Sequence, residues 1–153
     1  SFGAGCPRMR LSLQTDYSLR TLIYLAHSGK RAKIDEIARF YNISTAHVAK
    51  VVHQLGRLGF IRSIRGVGGG VEMGRKPADI SVGEVIRAVE GNVHLLECVG
   101  TEDVCIIERF CKLKGVFREA ERIQNEYLDS VTIEDILPTR KQVRTIELKS
   151  LDG

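Results

Sequence analysis

The most constraining feature of the sequence is a pair of helical patterns within residues 34–58. Ile34–Tyr41 predicts a short helix that ends at Asn42, and Ser44 is a suitable N-cap for a second helix through about Leu58. Four residues of this second helix recur at the spacing of one buried face: Val48, Val51, Val52 and Leu55. A short helix, a turn and a longer helix with a polar outer face are typical of a helix-turn-helix.

The polar face of the second helix is the candidate DNA-reading surface. Ser44 and Thr45 stand at its N-terminus, where backbone N–H groups favour a phosphate. The side chains that recur along the polar face, at intervals of three, four and three residues, are His47, Lys50, Gln54 and Arg57. The alternative is an ordinary three-helix bundle whose polar face is merely solvated.

The distribution of charge favours DNA over that alternative. Residues 8–80 hold thirteen Lys and Arg against five Asp and Glu, a net charge of +8. Residues 81–153 hold ten against fourteen, a net charge of −4, which accounts for the +4 of the whole chain. A basic front half indicates a polyanionic partner, and double-stranded DNA is the simplest one.

A β-hairpin is predicted directly after the second helix. Phe60–Ile64 and Val71–Met73 alternate as two strands, and a glycine-rich turn joins them. Such a hairpin predicts the wing of a winged helix, although a plain mobile turn is possible. The pattern Gly69-x4-Gly74 does not continue as a nucleotide-binding loop, because Arg-Lys-Pro follows it. The candidate DNA contacts in the wing are Arg62, Arg65, Gly68 and Gly69, with Arg75 and Lys76 adding charge.

Helices are also predicted on either side of this unit. Thr15-Asp16 predicts the N-cap of a first helix that ends at Gly29, and a capping box at Ser81–Glu84 starts a fourth. After Cys111 a long helix carries an apolar stripe with few partners left in one chain, so we expect a homodimer. Its members are Val116, Phe117, Ala120, Ile123, Tyr127 and Leu128.

We therefore expect a mainly α fold with a small β-hairpin wing. Residues 1–8 look like an expression scar, and residues 9–80 form a winged helix-turn-helix DNA-binding domain. Residues 81–138 form a sensor segment with a dimerisation helix, and residues 139–153 form a flexible tail. No apolar run is long enough for a membrane span and no secretory pattern opens the chain, so a cytoplasmic location is expected.

Three cysteines, Cys98, Cys105 and Cys111, lie within fourteen residues, and the only other one is Cys6. This count does not favour a disulfide framework, whereas three clustered thiols suit a metal or an iron–sulfur cluster with a further ligand. Nearby candidates for that ligand are His94, Glu97, Glu102, Asp103 and Glu108. A zinc site that includes His94, or three buried apolar cysteines, are alternatives. An enzyme with a reactive cysteine lacks other support, and we expect none.

Several motifs together resemble the Rrf2 family of winged-helix transcription regulators. They are Met9, the run Asp16-Tyr17-Ser-Leu-Arg20, the helix-turn-helix, Arg65-Gly66-x2-Gly69-Gly70 and the three spaced cysteines, which together span nearly all of residues 9–138. The chain is most similar to the nitric-oxide-sensing repressors of that family. The resemblance implies a homodimer that binds a palindromic operator in double-stranded DNA.

The resemblance also implies a cofactor. In such repressors three cysteines hold a four-iron, four-sulfur (4Fe-4S) cluster, and an aspartate from the other subunit is a possible fourth ligand. Asp16 occupies that position, seven residues after Met9, although an N-cap role would also explain it. Two-iron (2Fe-2S) members have a histidine three residues after the last cysteine. That position is Lys114 here, so the four-iron cluster is favoured.

Overall fold

The computed structural model describes residues 11–91, 93–95 and 110–151. It confirms a mostly helical fold with a two-stranded antiparallel hairpin. In chain order the elements are α1 (Leu13–Ser28), α2 (Ile34–Tyr41), α3 (Thr45–Arg57), β1 (Ile61–Ile64), β2 (Gly70–Met73), a 3-10 turn (Pro77–Asp79), α4 (Val82–Glu90), α5 (Lys112–Ser130), a second 3-10 turn (Glu134–Ile136) and α6 (Arg140–Leu151).

Helix α1 begins earlier than the sequence suggested. Ser12 is its N-cap, and its hydroxyl accepts a hydrogen bond from the backbone N–H of Thr15 at 3.3 Å. Because this hydroxyl satisfies an N–H group at the helix start, Leu13 can already be helical. The prediction that Thr15-Asp16 caps the helix was therefore wrong. Asp16 lies within the first turn and accepts a hydrogen bond from Arg20 Nε at 3.0 Å.

The core lies between α1, α3, α4 and the hairpin. Its fully buried side chains include Leu22, Leu25, Ile37, Val51, Leu55, Phe60, Ile80 and Val85. The turn after α5 joins this core through Ile133, which is 0% exposed and whose N–H donates to the Ile80 carbonyl at 2.8 Å. Val82 N–H donates to the Val131 carbonyl at 2.8 Å, so the C-terminal end of α5 is attached to the start of α4.

The hairpin is anchored to the segment before α2. Arg62 pairs with Glu72 and Ile64 with Gly70 across the two strands. Ala32 and Val71 exchange backbone hydrogen bonds of 2.9 and 2.8 Å, so Ala32 forms an antiparallel bridge with strand β2. The wing is thus held at its base by the segment that joins α1 to α2.

Residues 140–151 form a helix where the sequence analysis expected a flexible tail. The backbone N–H of Thr139 donates to Gln142 Oε1 at 2.8 Å, and Gln142 N–H donates to Thr139 Oγ1 at 3.3 Å. This reciprocal arrangement is a capping box. The Thr-x-x-Gln spacing was therefore a helix-start signal that the composition-based reading of the tail missed.

We predict that Gly69→Ala distorts the wing turn. A Cβ atom at this position would collide with the backbone carbonyl oxygens of Ile64 and Gly66. The free energy of unfolding, measured with urea, should fall by about 1–3 kcal/mol. Gly56→Ala is the matched control, because a Cβ atom there meets nothing within 4 Å and alanine favours a helix. An unchanged stability in Gly69→Ala would contradict this view of the turn.

Candidate nucleic-acid interface and sensor segment

The turn between α2 and α3 presents the N-terminus of α3 to solvent. Asn42 adopts a left-handed conformation (φ 52°) at the C-cap of α2, and Ile43 N–H donates to the Ala38 carbonyl at 2.9 Å. Ser44 then caps α3, as predicted, by accepting a hydrogen bond from His47 N–H at 3.2 Å. Ser44 and Thr45 are both exposed, so the first turn of α3 is accessible to a phosphate.

The residues of α3 that face solvent most directly can be located from the position of its buried face. Val48, Val51, Val52 and Leu55 are at most 5% exposed. At about 100° per residue, the positions opposite their centre are Ala46, Lys50, His53 and Arg57. All four are exposed in the structure. Lys50 and Arg57 belong to the predicted stripe, whereas Ala46 and His53 were missed. The buried quartet alone would have located them.

The other two residues of the predicted stripe lie on the flank of α3 that borders α1. Gln54 is half-buried, and its Oε1 accepts a hydrogen bond from Gln14 Nε2 at 2.8 Å. The ring of His47 lies 5.9 Å from the ring of Tyr17 between centroids. Gln54 therefore joins α3 to the first turn of α1.

The wing residues are divided between exposed and internally bonded side chains. Arg62, Arg65 and Gly68 are exposed, while Gly69 is half-buried at the base of the turn. Arg62 also contacts Glu72, with 3.0 Å between Nη2 and Oε1. Arg75, which the sequence analysis counted as wing charge, donates to Glu84 Oε1 at 2.5 Å and to the Asp79 carbonyl at 2.7 Å. These contacts attach its guanidinium to the start of α4.

Two of the predicted metal ligands lie within the described residues. Cys111 is the N-cap of α5 and a half-buried free thiol, at a helix end that favours negative charge. Asp16 has a side chain that is 44% exposed and paired with Arg20. Cys98 and Cys105 lie outside the described residues, as do the other acidic candidates Glu97, Glu102, Asp103 and Glu108. Lys114, three residues after Cys111, is buried at 8% exposure.

His94 and the residue after it are held by one carboxylate of α5. The Nδ1 atom of His94 lies 3.2 Å from Glu121 Oε2, and Leu95 N–H donates to Glu121 Oε1 at 2.6 Å. A His94 in this arrangement has its Nε2 atom to offer a metal, and a carboxylate behind the ring is usual for ligating histidines. These residues line a cleft of about 430 Å³ between α4 and α5.

The last residue of α4 is bonded to the first turn of α1. One carboxylate oxygen of Glu90 accepts hydrogen bonds from Ser12 N–H at 2.5 Å and from Thr15 Oγ1 at 2.7 Å. Partial burial opposes ionisation of Glu90, but the hydrogen bonds from Ser12 and Thr15 outweigh it and lower the pKa of the carboxyl group. An ionised Glu90 thus ties the helix that precedes the cysteine segment to the helix that carries Asp16.

A line of apolar side chains on α5 faces outward. Leu113, Val116, Ile123 and Tyr127 are 56%, 62%, 55% and 68% exposed. With Ala120 they follow the alternating three- and four-residue spacing of a coiled-coil seam. The other side of α5 packs against α4, and Arg87 pairs with Asp129 at 2.7 Å between the two helices. Among the described helices, none is long and apolar enough to cross a membrane.

The short helix, the left-handed turn, the exposed helix and the hairpin together define a winged helix-turn-helix regulator of the kind that binds DNA. The Rrf2 family model, whose description is iron-dependent transcriptional regulator, matches residues 11–139. The chain belongs to the Rrf2 family, which confirms the resemblance seen in the sequence.

Known proteins agree with this assignment. The HTH-type transcriptional regulator NsrR of Bacillus subtilis (strain 168) is 40% identical over 138 residues, which cover 88% of this chain and 94% of that protein. The structure of CymR, the global cysteine regulator of B. subtilis, superposes with a TM-score of 0.67 at 30% identity and covers 84% of this chain and 96% of CymR. T. potens IscR gives a TM-score of 0.67 at 25% identity and covers 86% and 88%. The Rrf2 family and its NsrR members are transcriptional regulators, which confirms the expectation that the chain is not an enzyme.

We predict that His53→Ala weakens binding to the operator about ten-fold or more, since an outward side chain in the major groove can contact a base edge. Thermal stability should not change. Gln54→Ala, in contrast, should lower the free energy of unfolding by about 1 kcal/mol, because the Gln14 amide loses its partner. Fluorescence anisotropy on an operator selected from a random duplex library, together with thermal unfolding, measures both effects. Wild-type affinity in His53→Ala would place the reading face elsewhere.

Proposed function

We propose that this chain is a homodimeric repressor that senses nitric oxide through a 4Fe-4S cluster held by Cys98, Cys105 and Cys111. The observation that carries the proposal is the placement of the three cysteines. They lie in the segment between α4 and α5, and the described end of that segment is a free thiol at a helix N-terminus. Relatives of this chain carry the name NsrR.

The described donor atoms suit such a cofactor. The partly accessible thiol of Cys111 can coordinate iron as a thiolate. The carboxylate of Asp16 is partly exposed and does not cap α1, so ligation by it would cost the pair with Arg20 and no helix cap. A surface pair of this kind contributes little, typically less than about 1 kcal/mol. When bound, the cluster supplies iron that can react with nitric oxide at a weakly held ligand.

The outward apolar face of α5 supports the homodimer. A seam that includes Val116, Ile123 and Tyr127 buries its exposed surface when a second copy packs against it. Two-fold symmetry then presents two α3 helices to one face of the duplex. Their half-sites lie about 34 Å apart, or a multiple of that distance, which implies a palindromic operator.

The contacts of α1 provide a route from the sensor segment to the recognition helix. Glu90, at the base of the segment, holds Ser12 and Thr15 in the first turn of α1. Gln14 in the same turn holds Gln54 of α3. A change of ligation at Asp16 or a displacement of α4 therefore acts on the turn that positions α3. Two arrangements of α1, biased by ligation, constitute the proposed switch.

Two other cofactors have specific observations in their favour. Similarity to the IscR structure favours a regulator with a 2Fe-2S cluster, although the residue three positions after Cys111 is the buried Lys114. The contact between Glu121 and His94 favours a zinc regulator in which His94 is a ligand, whereas a regulator that responds to thiol oxidation would hold no metal. Both alternatives retain the same DNA-binding half.

Heterodimers test whether Asp16 ligates the cluster of the other subunit. A dimer of an Asp16→Ala chain with a Cys105→Ala chain keeps one complete site if ligation crosses between subunits. A dimer of the double variant with wild type then keeps none. We expect the first heterodimer, prepared anaerobically, to retain one cluster against an iron chelator and to release operator DNA on addition of nitric oxide. The second should lose its iron.

The opposite pattern would indicate ligation within one subunit and would contradict the crossed arrangement. Equal retention in both heterodimers would exclude Asp16 as a ligand. Asp35→Ala, in the first turn of α2, is the matched control for removal of an acidic side chain near a helix start.

A further inference from the structure

Glu72 is placed between two arginines at the base of the wing. Its Oε1 atom lies 3.0 Å from Nη2 of Arg62, its cross-strand neighbour, and its Oε2 atom lies 3.3 Å from Nε of Arg31. Glu72 is the only acidic residue between Phe60 and Gly74. A single carboxylate thus pairs each of its two oxygens with a different arginine.

The two arginines are held to different degrees. Arg31 also donates from Nη1 to the Gly68 carbonyl at 2.9 Å, and its side chain is 39% exposed. It therefore supports the wing turn as well as Glu72. Arg62 is 66% exposed and extends from a strand on the surface. A competing anion can draw Arg62 away, whereas Arg31 has a second partner in the fold.

Phosphate and carboxylate compete for the same guanidinium geometry, because both accept paired N–H donors. In the free chain the Nη2 donor of Arg62 is already engaged by Glu72. Glu72 also adds a negative charge at the base of the wing, which would oppose the approach of DNA phosphates. Both effects would weaken the sequence-independent binding of the wing to DNA phosphates.

We propose that Glu72 is a positioning residue that restrains Arg62 and thereby limits sequence-independent binding of the wing to DNA phosphate. This inference rests on the proposed contact between the wing and DNA and does not depend on the cluster. When the chain binds duplex DNA that contains no operator, Arg62 stays paired with Glu72. Removal of the carboxylate releases Arg62 for one additional phosphate contact.

The salt dependence of binding distinguishes this role from a purely structural one. Full-length Glu72→Gln is titrated with a fluorescein-labelled duplex of random sequence from 50 to 200 mM salt. One additional phosphate contact steepens the slope of log Kobs against log salt by about 0.9. The affinity advantage of the variant over wild type should therefore shrink about 3.5-fold across this range. Glutamine keeps an oxygen acceptor for Arg31, so the wing turn should persist.

Glu134→Gln is the matched control, because it makes the same change of net charge in the turn after α5. We expect its slope to stay near that of wild type. The gain of Glu72→Gln should disappear in Glu72→Gln/Arg62→Gln. The inference is overturned if Glu72→Gln matches Glu134→Gln, or if its gain persists without Arg62. If Arg62→Gln alone binds an operator duplex as tightly as wild type does, the proposed contact of the wing itself fails.

Discussion

The carboxylate of Glu90 is the contact on which the proposed coupling depends. It ends α4, directly before the cysteine segment, and binds the backbone N–H of Ser12 and the hydroxyl of Thr15 at the start of α1. The same turn of α1 carries Gln14, which is bonded to Gln54 of α3. Charged hydrogen bonds are stronger than neutral ones, so this junction attaches the end of α4 firmly to the start of α1. The end of α4, which precedes the cysteine segment, and helix α3 are therefore both attached to the first turn of α1.

The two halves of the chain expose surfaces of different chemistry. The winged helix-turn-helix buries its apolar residues around Leu22 and Phe60 and presents cations to solvent. Helix α5 instead presents an apolar seam, although its C-terminal end is attached to the core through Ile133. The first surface suits a polyanion and the second suits a copy of itself. The proposed DNA-binding dimer would cover both surfaces together.

Local chemistry made much of this fold predictable. The Ser44 cap, the end of α2 at Asn42 and the glycine-rich wing each follow from a few neighbouring residues. The orientation of α3 was harder, because Gln54 is drawn to α1 by a residue forty positions away. The pairs of Glu72 with Arg31 and of Arg75 with Glu84 are likewise tertiary contacts. A pattern in one segment carries no information about such partners.

The most direct test of the account is a metal analysis of the freshly purified protein, prepared without oxygen. Iron, sulfide and zinc are assayed on one sample together with its absorption spectrum. The account predicts about four iron and four sulfide per chain and a broad band at the blue end of the visible range. Zinc without colour would contradict sensing through iron, and about two iron per chain would favour the IscR-like alternative. In either case the DNA-binding half of the account would stand unchanged.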